Sequence, residues 1–270
     1  VTADLTNFAA DNMMMGQKVE ASSLRVTAAN GGYQITGDVK INGTPATIDL
    51  SKKKDAPESD LRLQATIDEA ARHRLGMDLG SAVTGAIPVK LTAHLADNGK
   101  DAPMSVEADL TPAKIDNLLP GWIKPAGKPA RATYTLLKTA QSTRIDDLSI
   151  TGSGANVKGS VEVDSSGEIL SANFQTCSLS DGDKASLKAE RGNDGVLRVA
   201  MRGDVFDGIN FVKSSLAGGA AEKAKPKQTD LDLDIKLGAV VGHNGETLRG
   251  LDLKMTRRSG HIRSFGMSAK

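Results

Sequence analysis

The stretch Asp230-Leu231-Asp232-Leu233-Asp234-Ile235-Lys236-Leu237 alternates charged and apolar residues without a break. Successive side chains of a β-strand point to opposite faces of its sheet, so this stretch predicts a strand with one apolar and one solvated face. Parallel strands that are buried on both faces are instead continuously apolar. The same two-residue period recurs at 60–67, 89–95, 106–110, 157–163 and 251–255. The pattern therefore predicts antiparallel strands with one covered face.

Turn signals separate these stretches. Pairs that join Asn, Asp or Ser to Gly suit tight hairpins, because both residues adopt positive φ at low steric cost. They are Asn30-Gly31, Asn42-Gly43, Asn98-Gly99, Ser166-Gly167, Asp194-Gly195, Asn244-Gly245 and Ser259-Gly260. Hairpins between alternating strands are typical of an antiparallel meander. We therefore predict a mainly β fold: a long curled antiparallel sheet built of repeated β units, with an open hydrophobic groove and a few short helices.

Three segments carry helix signals, and each follows a predicted strand. Residues 68–75 begin at Asp68, which suits an N-cap, and stop at Gly76. Residues 111–119 begin at Thr111, with Pro112 at the first helical position. Residues 207–216 would place apolar side chains on one side of a helix. We predict a short helix in each segment.

Two stretches interrupt the alternation and suggest how the chain is divided. Residues 121–129 form a Pro/Gly-rich connector, and residues 217–228 are small, polar and basic, which predicts a flexible loop. The recurring order of a strand followed by a helix or loop suggests repeated units. We predict a first β-groove unit at 1–120, a second at 121–228 that ends in the flexible loop, and the truncated start of a further unit at 229–270.

Composition excludes several classes of protein. The chain has 34 Lys and Arg against 33 Asp and Glu, and only 5 Phe, 2 Tyr and 1 Trp. This balance argues against nucleic-acid binding, which uses broad basic surfaces and aromatic stacking. No apolar run approaches the ~18 residues that a membrane-spanning helix needs. The chain begins at Val1 without a signal-peptide pattern, and we expect it to be a piece of a longer protein.

No residue pattern indicates catalysis. His73, His94, His243 and His261 lack metal-ligand spacing, and the carboxylates alternate along strands as a solvated face. Cys177 is the only cysteine, which excludes an internal disulfide, and we predict that it is a small buried residue at a strand end. The sequence therefore predicts no enzymatic activity, no metal site and no cofactor.

The apolar face is the large feature that remains for function. Its side chains are mostly aliphatic, and an open aliphatic trough would suit acyl chains. A fully packed core is the open alternative, because alternation defines a face but not what covers it. The residues predicted to line the groove and contact acyl chains are Leu61, Leu63, Ile67, Leu91, Leu95, Val161, Leu231, Leu233, Ile235, Leu251 and Leu253.

The chain contains the segment Pro120-Gly121-Trp122-Ile123-Lys124-Pro125-Ala126-Gly127, preceded by residues 108–116. Together with residues 70–80, 202–208 and 242–251, this segment resembles the AsmA-like family of Gram-negative bacteria, and more narrowly its large YhdP-type members. These segments are structural turns rather than catalytic signatures, so they indicate kinship more than activity.

The resemblance implies both a fold and a function. AsmA-like proteins and their TamB relatives are anchored in the inner membrane by an N-terminal helix and project into the periplasm. They are similar to chorein-type bridge proteins, whose repeated β units form a curled sheet with a hydrophobic groove. We thus expect a periplasmic segment that carries phospholipid acyl chains between the inner and outer membranes. Its tether would be an inner-membrane helix outside this chain, and its partners phospholipid and other envelope proteins.

Two other functions stay open at this point. A non-enzymatic scaffold of the cell envelope would have a fully packed β core and no ligand. A β-rich polysaccharide-processing enzyme has less support, because no pair of carboxylates stands out as an acid and base. Strand register decides which side chains share a face, since a slip of one residue exchanges the two faces.

Overall fold

One open sheet of 16 strands dominates the computed structural model of the chain. The structure describes residues 1–13, 16–77, 79–96, 102–116, 118–119, 121–209, 230–242 and 246–270. The prediction of a mainly β fold with few helices and mostly antiparallel strands is confirmed. The sheet has two edge strands, the first and the last in the chain.

The strands of the large sheet follow one another in space in the order of the chain. They are β1 (Thr2–Met13), β2 (Gln17–Ala29), β3 (Gly32–Ile41), β4 (Thr44–Lys52), β5 (Glu58–Ile67), β7 (Ile87–Ala96), β8 (Met104–Asp109), β11 (Arg131–Lys138), β12 (Ser142–Gly152), β13 (Ala155–Asp164), β14 (Ile169–Ser178), β15 (Lys184–Arg191), β16 (Leu197–Asp207), β17 (Leu231–Val241), β18 (Thr247–Arg258) and β19 (His261–Ser268). A separate three-stranded sheet contains β6 (Val83–Thr84), β9 (Lys114–Asp116) and β10 (Ile123–Lys124).

The glycine turns occur where the sequence predicts them. Their φ values lie between 76° and 84°, a region that side chains with a Cβ rarely adopt. These glycines are Gly31, Gly43, Gly167, Gly195 and Gly260. The predicted turns at Asn98-Gly99 and Asn244-Gly245 lie outside the described residues.

One pair of neighbouring strands, β16 and β17, is parallel, which the prediction of antiparallel neighbours missed. Leu197 lies opposite Leu231, and Asp207 lies opposite Val241. The connection between these strands therefore joins opposite ends of the sheet, which a hairpin cannot do. In the predicted helix 207–216, Asp207 ends β16 and Gly208 and Ile209 are helical, whereas residues 210–216 and the whole predicted loop 217–228 lie outside the described residues.

The helix predicted at 68–75 is confirmed, whereas the one predicted at 111–119 is wrong. Helix α1 (Glu69–Arg74) is capped by Asp68, whose carboxylate accepts a hydrogen bond from the Ala71 amide at 2.7 Å. In the second segment, residues 114–116 form strand β9 instead. Ile115 of β9 is fully buried and pairs with both other strands of the small sheet. Tertiary pairing therefore outweighs the local helix signals of Thr111 and Pro112.

Backbone pairing crosses both of the unit boundaries that the sequence suggests. Asp109 of β8 pairs with Arg131 of β11, on either side of the boundary at 120. The parallel ladder between β16 and β17 does the same at the boundary at 228. The units 1–120, 121–228 and 229–270 stay a prediction.

The ends of the strands form two rims of the large sheet. At one rim the chain leaves this sheet and later returns to it. We call residues 68–86 and 110–130 the insert, and the rim from which they leave the insert rim. The opposite rim, where β4 ends at Lys52 and β11 ends at Lys138, is the turn rim. The insert contains α1, one 3₁₀ turn (Gly80–Ala82) and the small sheet. The buried Arg72 donates hydrogen bonds to carbonyl oxygens of Ile67 at 3.2 Å and Val83 at 2.9 Å, and so ties α1 to strands on both sides.

Lys124 holds the second half of the insert in place. Its side chain is 0% exposed, and its Nζ donates hydrogen bonds to the carbonyl oxygens of Ala113 (2.6 Å), Pro125 (2.9 Å), Lys128 (3.1 Å) and Thr111 (3.4 Å). Burial lowers the pKa of this amine. The carbonyl dipoles replace the water that the ammonium loses, so the side chain works as an internal tie.

We predict that Lys124→Met destabilises the chain by about 2 kcal/mol, because it leaves buried carbonyl oxygens without a charged donor. The measurement is the free energy of unfolding in urea. The matched control is Lys128→Met, since the Lys128 side chain is exposed. Equal stability of the two variants would contradict the role given to Lys124.

Candidate functional site: the apolar face of the sheet

The register of the large sheet aligns one apolar side chain from every strand in a single row. Residues directly opposite each other on paired strands share a face of the sheet. Following the pairs from β1 to β19 gives Ala3, Val26, Ile35, Leu50, Leu61, Ala93, Met104, Leu136, Ile145, Val161, Ala172, Ala189, Val199, Leu233, Met255 and Phe265. We call these residues the apolar row and the side of the sheet that carries them the apolar face.

All of the residues predicted to line a groove lie on this one face. Leu61, Val161 and Leu233 belong to the apolar row itself. The others are two, four or six residues away from a row member on the same strand, without an intervening bulge, so their side chains point the same way. They are Leu63, Ile67, Leu91, Leu95, Leu231, Ile235, Leu251 and Leu253.

The structure gathers the predicted residues into separate packed clusters. Leu61 and Leu63 are buried together with Ala93 and Met104, and Leu91 and Leu95 pack against them. A second cluster joins Leu233, Ile235, Leu251 and Leu253. Val161 packs against a third, central cluster, while Ile67 and Leu231 lie at opposite rims.

Burial divides the predicted set. The buried members, at most 9% exposed, are Leu61, Leu63, Ile67 and Ile235. The other members are half-buried, which leaves part of each side chain accessible. They are Leu91, Leu95, Val161, Leu231, Leu233, Leu251 and Leu253. The apolar face is thus packed in places and open in others.

The opposite face carries the charged and hydroxyl side chains. One of its rows runs through Asp49, Arg62, Thr92, Ser105 and Thr135 of successive strands. Ion pairs join neighbouring strands there, as between Arg131 and Glu107 at 2.6 Å, Arg202 and Asp234 at 3.0 Å, and Arg258 and Asp232 at 2.7 Å. We call this side the polar face.

The insert covers part of the apolar face at the insert rim. Trp122 is 1% exposed and Ile115 is 0% exposed, and both belong to the central cluster with Ile150 and Val157 of the sheet. Sequence reasoning took the segment around Trp122 for a connector, whereas the structure packs it against the sheet. The apolar identity of Trp122 was the available signal, but its contacts depend on the fold.

Apolar side chains remain exposed at the other end of the sheet. Ile262, Phe265 and Met267 of the edge strand β19 are between 57% and 61% exposed. Phe265 and Met267 continue the apolar face beyond Met255 and Leu253. The apolar face therefore reaches the open edge of the sheet without a charged residue at these positions.

A depression on the polar face was not predicted. Its volume is about 2260 Å³, and it extends over strands from β1 to β12. Its charged lining side chains include Asp38, Lys40, Lys90, Glu107 and Arg131, and none of the predicted groove residues lines it. The two-residue period defines the polar face but carries no information about its curvature.

Cys177 behaves as the sequence predicts, as a small buried side chain near the end of β14. It is 6% exposed and belongs to the central cluster. Burial raises the pKa of the thiol to about 11, and the nearby Asp183 carboxylate adds to the rise. Since the thiolate is the reactive form, this thiol is inert at neutral pH.

We expect iodoacetamide at pH 8 to alkylate less than a tenth of Cys177 in the folded chain, under conditions that label the urea-unfolded chain completely. The reason is that a thiol with a pKa of about 11 is almost fully protonated at pH 8. The measurement is the mass of the intact chain. Similar labelling with and without urea would contradict the burial of this residue.

The assignment of the two faces can be tested at adjacent residues. We expect Leu63→Asp to lower the free energy of unfolding by several kcal/mol, because it buries an unpaired carboxylate, and Gln64→Asp to change it by less than about 0.5 kcal/mol. Leu63 is 6% exposed, whereas Gln64 is exposed on the polar face opposite Lys90. Urea unfolding of both variants measures the difference, and the opposite order would mean that the register is wrong.

The described residues bring no three His, Cys, Asp or Glu side chains together in a way that could hold a metal ion. The one α-helix among them is far too short to span a membrane, and no candidate span was found in that part of the chain. Comparison with protein-family models, curated proteins and solved structures found no match.

Proposed function

We propose that this chain carries phospholipid acyl chains along the apolar face of its sheet. The observation that supports the proposal is the apolar row, to which each of the 16 strands contributes an uncharged side chain. At the spacing of neighbouring strands, the row is about 70 Å long. Transport along such a surface requires no catalytic group, which is consistent with carboxylates that alternate along the strands as a solvated face.

The energetics of acyl-chain binding suit a surface of this kind. Each methylene that leaves water contributes about 0.8 kcal/mol, so a single acyl chain has enough apolar surface to stay bound. Neighbouring positions of the row, such as Leu61, Ala93 and Met104, offer similar aliphatic contacts. Movement along the row exchanges one contact for another, and its direction has to come from a gradient or a partner.

We also infer that the repeated β units curl around bound acyl chains with the apolar face inside, which requires a bend opposite to the one that makes the polar face concave over β1 to β12. Half-buried residues such as Leu91, Val161 and Leu233 support this inference, because an acyl chain would complete their burial. The charged polar face would then stay in water, where its cross-strand ion pairs are well solvated.

The cellular part of the proposal follows from the sequence resemblance. We propose that the chain is a periplasmic segment of an AsmA-like protein, tethered to the inner membrane by a helix outside this chain and acting between the inner and outer membranes. The segment with the strongest resemblance supplies two of the buried side chains of the insert, Trp122 and Lys124, while Ile123 and residues 125–127 are exposed. Phospholipid and other envelope proteins are the proposed partners.

A non-enzymatic envelope scaffold is the second candidate, and the insert is the observation in its favour. Where Trp122 and Ile115 pack against Ile150 and Val157, the apolar face is closed by protein in the manner of an ordinary core. A scaffold would require the same closure along the whole face. The exposed Phe265 and Met267 at the last strand run against that requirement.

Photo-crosslinking distinguishes the two candidates. We expect a photoreactive residue at position 231, 233 or 235 to label radioactive phospholipid, and the same residue at 232 or 234 not to do so, because the two sets lie on opposite faces of β17. Mass spectrometry of lipids that copurify with the chain is the companion measurement. Equal labelling at both sets, or none, would favour the scaffold.

A double substitution tests the same face without a chemical probe. We expect Leu233→Asp combined with Leu253→Asp to abolish lipid retention, since the two carboxylates would interrupt the apolar face. Asp232→Ser is a poor control, because Asp232 pairs with Arg258 at 2.7 Å. The matched control is Thr92→Asp combined with Asn156→Asp, which adds the same charge at exposed positions of the polar face. Retention by both double variants would count against the proposal.

A further inference from the structure

The two ends of the apolar face differ in how far they are covered. On β13, Val157 near the insert rim is 0% exposed, whereas Val161 and Val163 toward the turn rim are half-buried. On β12, Ile150 near the insert rim is buried, and Ile145 toward the turn rim is half-buried. Trp122 of the insert belongs to the same buried cluster as Ile150 and Val157, whereas Val161 is only a partly buried neighbour of that cluster. The half of the central strands toward the turn rim is therefore the more accessible half of the apolar face.

A second row of side chains follows the same register toward the turn rim, two residues beyond the apolar row, or three at Ile169 and Ile262, where the register shifts. The register gives its members as Ala28, Tyr33, Lys52, Ser59, Leu95, Lys138, Thr143, Val163, Ile169, Arg191, Leu197, Leu231, Arg257 and Ile262. We call them the rim row. Its charged members are all cations, and no Asp or Glu occupies this row or the apolar row in the described strands.

The cations of the rim row are evenly distributed along the sheet. Lys52 is on β4, Lys138 four strands later on β11, Arg191 four strands later on β15, and Arg257 three strands later on β18. These steps correspond to about 19, 19 and 14 Å. Each cation follows an apolar-row residue by two positions, so its Cα lies about 7 Å from an aliphatic contact surface.

We propose that the rim row binds the phosphate of a phospholipid headgroup while the acyl chains lie on the apolar row. This proposal rests on the proposed function and adds an orientation to it: the headgroup leaves the apolar face at the turn rim. Charge carries the argument, because Lys and Arg are the side chains that bind phosphate oxygens, Arg in a bidentate manner. The unequal coverage of the apolar face supports this orientation independently, because the insert covers the opposite rim over the central strands.

Arg191 is already held by neighbouring protein groups. Its Nε donates a hydrogen bond to the carbonyl oxygen of Ile169 at 2.9 Å, its Nη1 donates one to that of Gly195 at 2.9 Å, and its Nη2 lies 3.5 Å from the Glu168 carboxylate. These contacts orient the guanidinium and offset part of its charge. The test leaves Arg191 in place and replaces Lys52, Lys138 and Arg257, which also interact with other groups of the protein.

The experiment compares two photoreactive lipids presented to the full chain in vesicles: phosphatidylglycerol, which carries a phosphate, and diacylglycerol, which does not. The rim variant is Lys52→Gln with Lys138→Gln and Arg257→Gln. The control is Lys40→Gln with Lys90→Gln and Lys188→Gln, which removes the same charge from exposed positions of the polar face. Unfolding midpoints in urea verify that both variants fold.

We expect the rim variant to label with phosphatidylglycerol about tenfold less than the control, and both to label equally with diacylglycerol. In the unsubstituted chain, a photoreactive residue at Val161 should capture phosphatidylglycerol and one at Val157 should not. Equal phosphatidylglycerol labelling of rim variant and control, or equal capture at Val157 and Val161, would overturn the orientation while leaving lipid binding in place. Absence of labelling by either lipid would overturn the proposed function itself.

Discussion

Backbone pairing in register across the whole sheet is the constraint on which the rest of this structure depends. Each strand alternates apolar and polar side chains, and the two-residue period gives a coherent face only if every neighbour pairs in the matching phase. The ladder keeps that phase through several bulges, such as the one between Ile145 and Leu148, and through the parallel pair of β16 and β17. A slip of one residue at β17, for example, would place Asp232 or Asp234 in the apolar row in place of Leu233.

The insert and the sheet stabilise each other. The sheet supplies an apolar surface that would otherwise face water, and the insert supplies Trp122 and Ile115 to cover it. The charged ends of Arg72 and Lys124 bind backbone carbonyl oxygens of the insert, whereas the buried Trp122 Nε1 has no hydrogen-bond partner among the described residues. This arrangement closes one rim of the central strands and leaves the other rim open, so the apolar face has a direction from which a ligand can enter.

The two faces of the sheet separate its charged side chains from most of its apolar ones. Charged side chains of the polar face pair across strands, and the thiol of Cys177 is buried with a raised pKa. The exposed apolar side chains of β19 and the cations of the rim row lie on the other side, where an amphiphile could use both. Binding energy for such a ligand would come from burial of methylenes, and headgroup charge would determine its orientation.

The sequence by itself predicted β5, β7, β8, β13, β17 and β18, five of the glycine turns, helix α1 and the alternation that gives these strands one apolar face. These features depend on local sterics and on the two-residue period, which act within a few residues of chain. Only the tertiary structure decided that residues 114–116 form a strand, that β16 and β17 are parallel, and that Trp122 covers the central strands. It also decided which side chains align in rows and where the polar face is concave. Those properties depend on pairing and burial between distant segments. The two-residue pattern of one segment does not specify which other segment it pairs with.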